Sequence, residues 1–308
     1  MKVLVTPRSF GINDISPFEL FKKHGVEVLT NPTNGVLNEA QIMEMLADCD
    51  GVIIGVDPLN ERAIKAAPKL RAVAKYGTGT DNIDLKACKE RNIKVSRTLG
   101  ANSAAVADYA FALMLALARK IIPIDHACRK GDWSKIPAHD VSGKTLGLIG
   151  LGAIGRQMVR RAKGFDMKII AYDTLWDEVY ALAEGIQKSD VDGICKESDF
   201  ISLHLPLAED SRCMIGEKQI GLMKHTAFII NTARGGIIDD HALLKALRNN
   251  RIAGAGLDVF IQEPPDNKEW FELENVIIGS HCAASTIGAA NKMSIMAAEN
   301  LLADLGVD

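Results

Sequence analysis

The chain has 308 residues, of which 47% are hydrophobic and 24% charged, enough apolar material for two globular domains of ordinary size. Its 36 basic and 39 acidic residues are mixed along the chain and give a net charge of -3, which provides no basic surface for wrapping a nucleic acid. The start, residues 1–7, holds one cation and a short apolar run, too little for a signal segment or a spanning helix. We therefore expect a cytoplasmic protein with no membrane or nucleic-acid partner.

The first hundred residues alternate short β-branched runs with longer amphipathic segments. We predict strands at residues 2–5, 26–29, 51–54 and 71–74. We predict helices at residues 16–23, 38–46 and 61–66. Such alternation is typical of a parallel sheet covered on both faces by helices, so this part forms one doubly wound α/β unit.

A second series of strands predicts a second and larger α/β domain. Its strands are predicted at residues 145–149, 168–172, 200–203, 227–230, 252–257 and 276–278. Between the two series, residues 104–119 are apolar on nearly every side, and a helix of that kind must be buried, either inside a domain or in a subunit interface. A last amphipathic helix, residues 286–305, is predicted to pack back on one of the two domains.

The six cysteines lie far apart, with no C-x-x-C pair and no Cys/His cluster at metal-ligand spacing. Free cysteine is usually a small buried apolar residue. We therefore expect buried free thiols and no metal site.

A glycine-rich sequence, Gly-Leu-Gly-Ala-Ile-Gly, directly follows the predicted strand 145–149 and precedes a helix-like stretch. The first glycine permits the tight turn, the second lets the backbone approach a pyrophosphate, and the third allows close packing of helix on strand. The helix N-terminus then faces the negative charge. The predicted dinucleotide-binding residues of this loop are Gly150, Gly152, Ala153, Ile154 and Gly155.

The next predicted strand ends at Tyr172-Asp173, where a carboxylate would accept hydrogen bonds from the adenine ribose hydroxyls. The 2′-phosphate of NADP would be repelled there, so the pattern favours NAD. A related loop and ribose acid also serve S-adenosylmethionine. NAD and S-adenosylmethionine are distinguished by whether the rest of the domain carries residues for redox or for methyl-transfer chemistry.

Three further motifs resemble the D-2-hydroxyacid dehydrogenase family, in particular its D-3-phosphoglycerate dehydrogenase branch. They are NTARGGIID at 231–239, GLDVFIQEP at 256–264 and SHCAAST at 280–286, and they stand in the family order. The resemblance implies a catalytic set of Arg234, Glu263 and His281. It also implies a flavodoxin-like substrate domain of residues 1–98 and 282–308, around a Rossmann NAD-binding domain of residues 99–281, with catalysis in the cleft between them. A homodimer formed through the region 104–119 is the expected assembly.

The chemistry of a 2-keto acid agrees with those roles. Reduction needs a hydride at the carbonyl carbon and a proton at its oxygen, and histidine is the side chain best suited to hold that proton near neutrality. A carboxylate bonded to the other ring nitrogen, as implied for Glu263, would orient the imidazole of His281 and favour its protonated form. Arg234 offers a planar fork for the substrate carboxylate and polarises the keto oxygen.

The same resemblance implies further binding residues. Those that line the cofactor would be His204, Leu205, Pro206, Thr232, Ala233, Asp258 and Ala283. The loop YGTGTDNID at 76–84 resembles the family's substrate-side glycine loop, whose backbone N–H groups receive the substrate carboxylate. The substrate-binding residues implied there are Tyr76, Gly77, Thr78 and Gly79.

The sequence departs from phosphoglycerate dehydrogenases in two places. They carry an Arg-Ser pair after the third strand and an arginine leading the glycine loop, where this chain has Gly55-Val56 and Tyr76. The substrate pair therefore stays open between a D-2-hydroxy acid such as 3-phosphoglycerate with its keto acid, and glyoxylate or hydroxypyruvate. The family also contains corepressors that use this fold as an NAD-sensing binding module, which is the alternative to an enzyme. Glu263 argues against formate as the substrate, because formate dehydrogenases have Gln at that position.

Arg8 directly follows the first predicted strand, and ligands of open α/β sheets collect at the carboxyl ends of strands. With cations missing at Gly55 and Tyr76, we predict that Arg8, assisted by Ser9 and Lys75, recognises a second anionic group of the substrate.

Overall fold

The computed structural model describes residues 1–33 and 35–307, and their contacts divide them into two units. One, the split unit, comprises Met1–Asn102 together with the residues from Ser285 onward. The other, the inserted unit, comprises Ser103–Ala284. The boundaries expected from the sequence lie a few residues away, in the same two connecting segments.

The described part of the split unit forms five short strands. They are β1 (Lys2–Val5), β2 (Glu27–Thr30), β3 (Gly51–Ile54), β4 (Ala72–Lys75) and β5 (Lys94–Arg97). All pairings are parallel and the order is β2-β1-β3-β4-β5, which is the flavodoxin-like order predicted for this unit. The helices along this part are α1 (Ser16–Lys23), α2 (Glu39–Leu46), α3 (Glu61–Ala66) and α4 (Leu85–Glu90).

The last helix of the chain, α12 (Ile287–Leu305), belongs to the split unit. Thr286 caps its N-terminus by accepting a hydrogen bond from Ala289 N at 3.1 Å. Its fully buried Ala297 and Leu301 join strand residues of β1, β3 and β4 in one apolar cluster, while the other sheet face carries a second cluster beneath α2, α3 and α4. Both faces of the sheet are therefore covered, as a buried parallel sheet requires.

The described part of the inserted unit forms seven parallel strands. They are β6 (Thr145–Ile149), β7 (Lys168–Tyr172), β8 (Gln187–Lys188), β9 (Phe200–Leu203), β10 (Phe228–Asn231), β11 (Gly254–Leu257) and β12 (Val276–Ile278). The order is β12-β11-β10-β9-β6-β7-β8, so the sheet runs outward in both directions from between β6 and β9. This is the Rossmann arrangement, extended by one strand, and it confirms the predicted fold class.

Helices cover both faces of this second sheet as well. The helices along this part of the chain are α5 (Ser103–Ala118), α6 (Ile121–Arg129), α7 (Ala153–Lys163), α8 (Glu178–Glu184), α9 (Val191–Glu197), α10 (Glu217–Leu222) and α11 (Asp240–Arg248). All but α6, which buries no residue, pack against the sheet. One buried cluster lies beneath α9 to α11 and another beneath α5 and α7. A short 3-10 helix, Lys268–Glu272, precedes β12.

Most of the apolar helix α5 is buried within the inserted unit, while Ala104, Asp108 and Ala112 are exposed along one side. Ala107, Ala110 and Met114 are fully buried, and the helix lies against β10, β11 and α7. Glycines in β11 permit this approach, because a Cβ at Gly256 would stand 3.1 Å from Leu113 Cβ. Packing inside its own unit therefore accounts for the apolar composition of α5, which the sequence could not distinguish from a subunit interface.

Several predicted bounds shift by about one residue, and some elements were not predicted. The strand β5 has Val95 as its one large apolar residue and its ends are exposed, so no alternation marked it. The strand β8 is an exposed edge of two residues. Edge strands of this kind carry little hydrophobic signal, because they bury little side-chain area.

All six cysteines are free, as predicted. Cys49, Cys88 and Cys195 are buried, and burial raises the pKa of the Cys195 thiol to about 12. The expectation of burial was wrong for Cys213, which is exposed.

Among residues 1–33 and 35–307, no helix is both long enough and apolar enough to cross a bilayer.

Replacing Leu301 tests whether α12 is part of the split unit's core. Leu301 is fully buried, and its Cδ1 lies 3.1 Å from the position that a Cβ on Gly51 would take. We expect Leu301→Ala to lower the free energy of unfolding by about 2–5 kcal/mol in urea denaturation followed by circular dichroism. Leu182→Ala is the control, since Leu182 is 81% exposed and its loss should change stability by less than about 0.5 kcal/mol. Equal effects of the two changes would mean that α12 is not core.

Candidate functional site

The predicted cofactor and catalytic residues of the inserted unit share one edge of its sheet. Gly150 follows β6, Asp173 follows β7, His204 follows β9, Thr232 follows β10 and Asp258 follows β11. All these strands are parallel, so their carboxyl ends meet at the same edge. Ligands of open α/β sheets bind at this edge.

The glycine loop has the shape that a pyrophosphate needs. Gly150 has φ +103°, and a Cβ there would stand 2.4 Å from the carbonyl oxygen of His204. A Cβ at Gly155 would stand 2.2 Å from the carbonyl oxygen of Gly150, so helix and strand pack without a side chain between them. Gly152 is the N-cap of α7 and has nothing within 4 Å of its Cβ direction, which leaves open space beside the helix N-terminus. Ala153 and Ile154 lie in the first turn of α7. The loop therefore fits the dinucleotide.

Asp173 lies directly beside this loop. Its Oδ2 accepts a hydrogen bond from Leu151 N at 2.6 Å, and its Oδ1 accepts one from Leu175 N at 2.8 Å. Two backbone N–H groups thus hold the carboxylate next to the first turn of the glycine loop. That is the place expected for a group that receives ribose hydroxyls.

The turn that carries Arg234 is shaped by Asn231, a residue that the sequence did not single out. Asn231 Oδ1 accepts a hydrogen bond from Ala233 N at 3.0 Å, and Asn231 Nδ2 donates one to the carbonyl oxygen of Arg234 at 2.8 Å. Arg234 Nη1 donates to the carbonyl oxygen of Ala233 at 2.7 Å. The hydroxyl of Thr232 is buried and has no hydrogen-bond partner among the described residues. Asn231 is the first residue of the NTARGGIID motif, but its place there gave it no role of its own.

Gly235 brings this turn against the segment that leads to Glu263. A Cβ on Gly235 would stand 2.0 Å from the carbonyl carbon of Phe260, so no other residue allows the same approach. Glu263 Oε1 in turn accepts a hydrogen bond from Phe260 N at 3.1 Å. The arginine turn and the glutamate loop are therefore fixed to each other through Phe260.

His281 and Glu263 form a hydrogen-bonded pair. The distance between His281 Nδ1 and Glu263 Oε2 is 2.8 Å, and the two side chains are 44% and 37% exposed. His281 has φ +56°, a conformation that non-glycine residues rarely adopt and that occurs often at functional sites. Since Glu263 occupies Nδ1, the other ring nitrogen, Nε2, points away from the pair.

Asp258 fixes the strained backbone around His281. Its carbonyl oxygen accepts a hydrogen bond from His281 N at 2.8 Å, and its carboxylate accepts bonds from Cys282 N at 3.0 Å and Ala283 N at 2.9 Å. Asp258 is 1% exposed, and a Cβ on Gly279 would stand 2.2 Å from its Oδ1. Sequence reasoning placed Asp258 and Ala283 at the cofactor. The structure adds that Asp258 positions the segment carrying His281.

His204 is a neutral neighbour of the glycine loop. Its Nε2 lies 2.8 Å from Ser202 Oγ, and its Nδ1 is buried without a partner among the described residues. Burial lowers the pKa of His204 to about 3, so the imidazole is uncharged at neutral pH. Leu205 follows it, and the carbonyl oxygen of Pro206 accepts a hydrogen bond from Ser211 Oγ at 2.8 Å. His204 is therefore unsuited to deliver a proton.

The glycine loop of the split unit uses one of its N–H groups internally. Gly77, with φ +128°, donates its N–H to Thr98 Oγ1 at 2.8 Å, and its carbonyl oxygen accepts a bond from Thr98 N at 3.1 Å. Thr98 is fully buried and was not identified from the sequence. Gly77 therefore shapes the loop, and the N–H groups that remain for a carboxylate are those of Thr78 and Gly79.

Two other side chains near this loop are engaged within the split unit. The hydroxyl of Tyr76 donates to the carbonyl oxygen of Ala290 at 3.0 Å and accepts a bond from Ser9 Oγ at 3.2 Å. Lys75 is 6% exposed, and its Nζ donates to the carbonyl oxygen of Gly55 and, at 2.8 Å, to Asn82 Oδ1. Arg8, which follows β1 in the same unit, is exposed.

No group of three or more His, Cys, Asp and Glu side chains able to hold a metal ion occurs in residues 1–33 and 35–307.

The buried neutral state of His204 predicts a pH dependence of stability. Because the pKa is lowered in the folded state, protons bind preferentially to the unfolded chain, so stability is complete above about pH 6.5 and falls as the pH drops toward 3. Relative to His204→Gln, the wild type should lose about 1.4 kcal/mol of unfolding free energy for each pH unit below about 6.5. Urea denaturation between pH 7.5 and 4.5 measures this, and parallel curves for the two proteins would refute the buried neutral imidazole.

Comparison with known proteins agrees with this site. The sequence model of the D-isomer specific 2-hydroxyacid dehydrogenase family, NAD binding domain, matches residues 111–283. A glyoxylate reductase of Thermococcus litoralis is 40% identical over 315 residues, which cover 98% of this chain and 93% of that protein. A D-3-phosphoglycerate dehydrogenase of Methanocaldococcus jannaschii is 39% identical over 280 residues, which cover 90% of this chain and 52% of that protein.

The solved structure of the TT0316 protein from Thermus thermophilus superposes on this chain with a TM-score of 0.91 at 32% identity, covering 99% of this chain and 97% of that one. Fold, site and relatives therefore lead to one conclusion. The chain belongs to the D-2-hydroxyacid dehydrogenase family and is an NAD-dependent oxidoreductase that interconverts a 2-hydroxy acid and its 2-keto acid.

Proposed function

We propose that the protein reduces small 2-keto acids of the glyoxylate and hydroxypyruvate type with NADH. The observation that carries the proposal is the His281–Glu263 pair, with Nδ1 and Oε2 at 2.8 Å, at the same sheet edge as the glycine loop. The nicotinamide cofactor supplies the hydride when bound. The residues of the chain have to hold the acid and provide the proton.

His281 is proposed as the group that gives its proton from Nε2 to the keto oxygen. Glu263 accepts a hydrogen bond from Nδ1 and so orients the ring, which leaves Nε2 for the proton that is transferred. The backbone clamp by Asp258 holds the same residue at φ +56°. These contacts together fix the direction of the ring, which is what proton transfer to a single oxygen requires.

Arg234 is proposed to bind the substrate carboxylate and polarise the keto oxygen. Its turn is fixed by Asn231 and by the close approach of Gly235 to Phe260. On the split unit, the N–H groups of Thr78 and Gly79 are proposed to bind a carboxylate, as the family resemblance implies. Backbone N–H groups and a guanidinium are both suited to an oxyanion.

The proposal of a small substrate rests on the side chains near the split unit's glycine loop. Tyr76 stands where phosphoglycerate dehydrogenases lead the loop with an arginine, and its hydroxyl is bonded to Ala290 and Ser9. The ammonium of Lys75 is buried and bonded to Gly55 and Asn82. Neither side chain is arranged to receive a phosphate. Relatives with the name glyoxylate reductase, one of them 40% identical over nearly the whole chain, support the same class.

Replacing His281 tests the proton donor. We expect His281→Gln to lower kcat for NADH-dependent glyoxylate reduction by about 100- to 10,000-fold, because a positioned acid is lost. The Kd for NADH, measured by isothermal titration calorimetry, should stay within about twofold, since the side chain handles the proton and not the dinucleotide. His225→Gln, a change of an exposed histidine, is the control and should leave both values unchanged. Retained activity in His281→Gln would contradict the assignment.

The role of Arg8 in binding a second anionic group of larger keto acids stays a prediction. Arg8→Ala should raise KM for a phosphorylated or dicarboxylic keto acid about tenfold more than it raises KM for glyoxylate. Only the larger acids carry the second anionic group, so only they lose a charge-assisted hydrogen bond. Arg62→Ala, an exposed arginine of the same unit, is the control. A uniform effect on both classes, or none, would mean that Arg8 reads no substrate tail.

We further propose a cytoplasmic homodimer, with an interface formed by the predicted region 104–119 and the segment that follows it. The helix in that region keeps Ala104, Asp108 and Ala112 exposed. The segment after it exposes Ile121, Ile122 and Trp133 to 53%, 40% and 82%. Exposed apolar residues that lie close together along a segment are typical of subunit interfaces. Most soluble oligomers are symmetric homo-oligomers, so the partner that covers this segment is proposed to be a second copy of the chain.

Light scattering after size-exclusion chromatography tests the assembly. We expect a dimer for the wild type and a monomer for Trp133→Glu, because a charge would be desolvated in the interface. Val179→Glu changes another residue, 81% exposed, and should remain dimeric. If Trp133→Glu is also a dimer, the segment is not the interface.

A further inference from the structure

Arg156, the residue that follows the third glycine of the loop, has an arrangement that the proposed reaction does not use. Its guanidinium Nη2 donates to Asp177 Oδ2 at 2.7 Å, and its Cζ lies 4.1 Å from the centre of the Tyr180 ring. Its Nε lies 3.4 Å from the carbonyl oxygen of Leu151. A cation is therefore fixed against the glycine loop.

This cation lies near the carboxylate of Asp173. The carbonyl oxygen of Leu151 accepts the bond from Arg156, while the N–H of the same residue donates to Asp173 Oδ2 at 2.6 Å. The guanidinium and the carboxylate therefore bind the two backbone polar groups of the same residue, Leu151. The guanidinium is close to the ribose hydroxyls, if Asp173 binds them as proposed.

Asp177 neutralises the cation and holds it in place. One of its oxygens accepts the bond from Arg156, and the other caps α8 by accepting one from Tyr180 N at 3.0 Å. The bond from Tyr180 N and the bond from Arg156 hold the pKa of Asp177 below its usual range, so the carboxylate stays charged. The side chains of Arg156 and Asp177 are 42% and 39% exposed, so the pair is open to a competing anion from solvent.

We propose that Arg156 is a latent ligand for the 2′-phosphate of NADP(H), and that Asp177 withholds it from that role. The preference for NAD would then have two parts, namely repulsion of the phosphate by Asp173 and capture of the nearby cation by Asp177. Arginine is the side chain best suited to a phosphate, since its planar fork donates two parallel hydrogen bonds. The inference rests on the proposed position of Asp173 beside the adenosine ribose.

The test measures binding by isothermal titration calorimetry, with NADH, NADPH and 2′,5′-ADP as probes. Asp173→Ser should raise the affinity for NADPH relative to NADH, by removing the repulsion. Adding Asp177→Asn should lower the Kd for NADPH and 2′,5′-ADP about tenfold further, with NADH changed by less than about twofold. Asparagine keeps the cap on α8, so the fold of that segment is preserved.

Two further variants identify the cation that is released. Adding Arg156→Gln to the double variant should abolish the tenfold gain. Asp173→Ser with Glu184→Gln is the matched control, because it frees Lys163 at the opposite end of α7 from a similar ion pair and should give no gain. If the double variant does not fold, Asp177→Ser can replace Asp177→Asn in the Asp173→Ser background, since serine also caps α8, and it should give the same gain for NADPH with NADH unchanged.

The outcomes distinguish the ribose assignment from the role of Arg156. An unchanged ratio of NADH to NADPH affinity in Asp173→Ser would refute the ribose assignment. A changed ratio in Asp173→Ser, with no added gain from Asp177→Asn or with a gain that survives Arg156→Gln, would refute the latent role of Arg156 alone.

Discussion

The buried carboxylate of Asp258 ties together the parts of the inserted unit on which its chemistry depends. The backbone N–H of Asp258 donates to the carbonyl oxygen of Asn231 at 2.9 Å, and its own carbonyl and carboxylate oxygens bind the backbone of residues 281–283. The ends of β10 and β11 and the segment after β12 are thereby joined by hydrogen bonds from one residue. A buried charge of this kind is stable only because several donors surround it. Without them the positive φ of His281 would have no support.

Glycines set the other close approaches at this edge. Gly235 lets the arginine turn touch Phe260, and Gly279 leaves room for the Asp258 carboxylate. In each case a Cβ would stand nearer than about 2.5 Å to an atom of another segment, so a substitution would move the backbone that carries a functional group. Residues without a side chain of their own therefore determine the geometry of Arg234 and His281.

Cofactor selection and chemistry occupy opposite halves of the same sheet. The residues around Asp173 follow β7, on one side of β6, whereas His281 and Glu263 lie beyond β11 and β12 on the other side. The ion pair of Arg156 and Asp177 belongs to the first half. In the proposed mechanism, cofactor preference and proton transfer therefore depend on separate residues.

By itself, the sequence determined the fold class, and it predicted the glycine loop with Asp173 and the set of Arg234, Glu263 and His281. These depend on short-range patterns, since strand alternation and a strand-turn-helix loop are local properties of the chain. Only the tertiary structure showed the hydrogen bonds of Asn231 and Thr98 and the ion pair of Arg156, because no spacing rule encodes such contacts. The tertiary structure also showed that α5 packs mainly against its own unit. An apolar sequence does not tell whether the same unit or a second subunit covers such a helix.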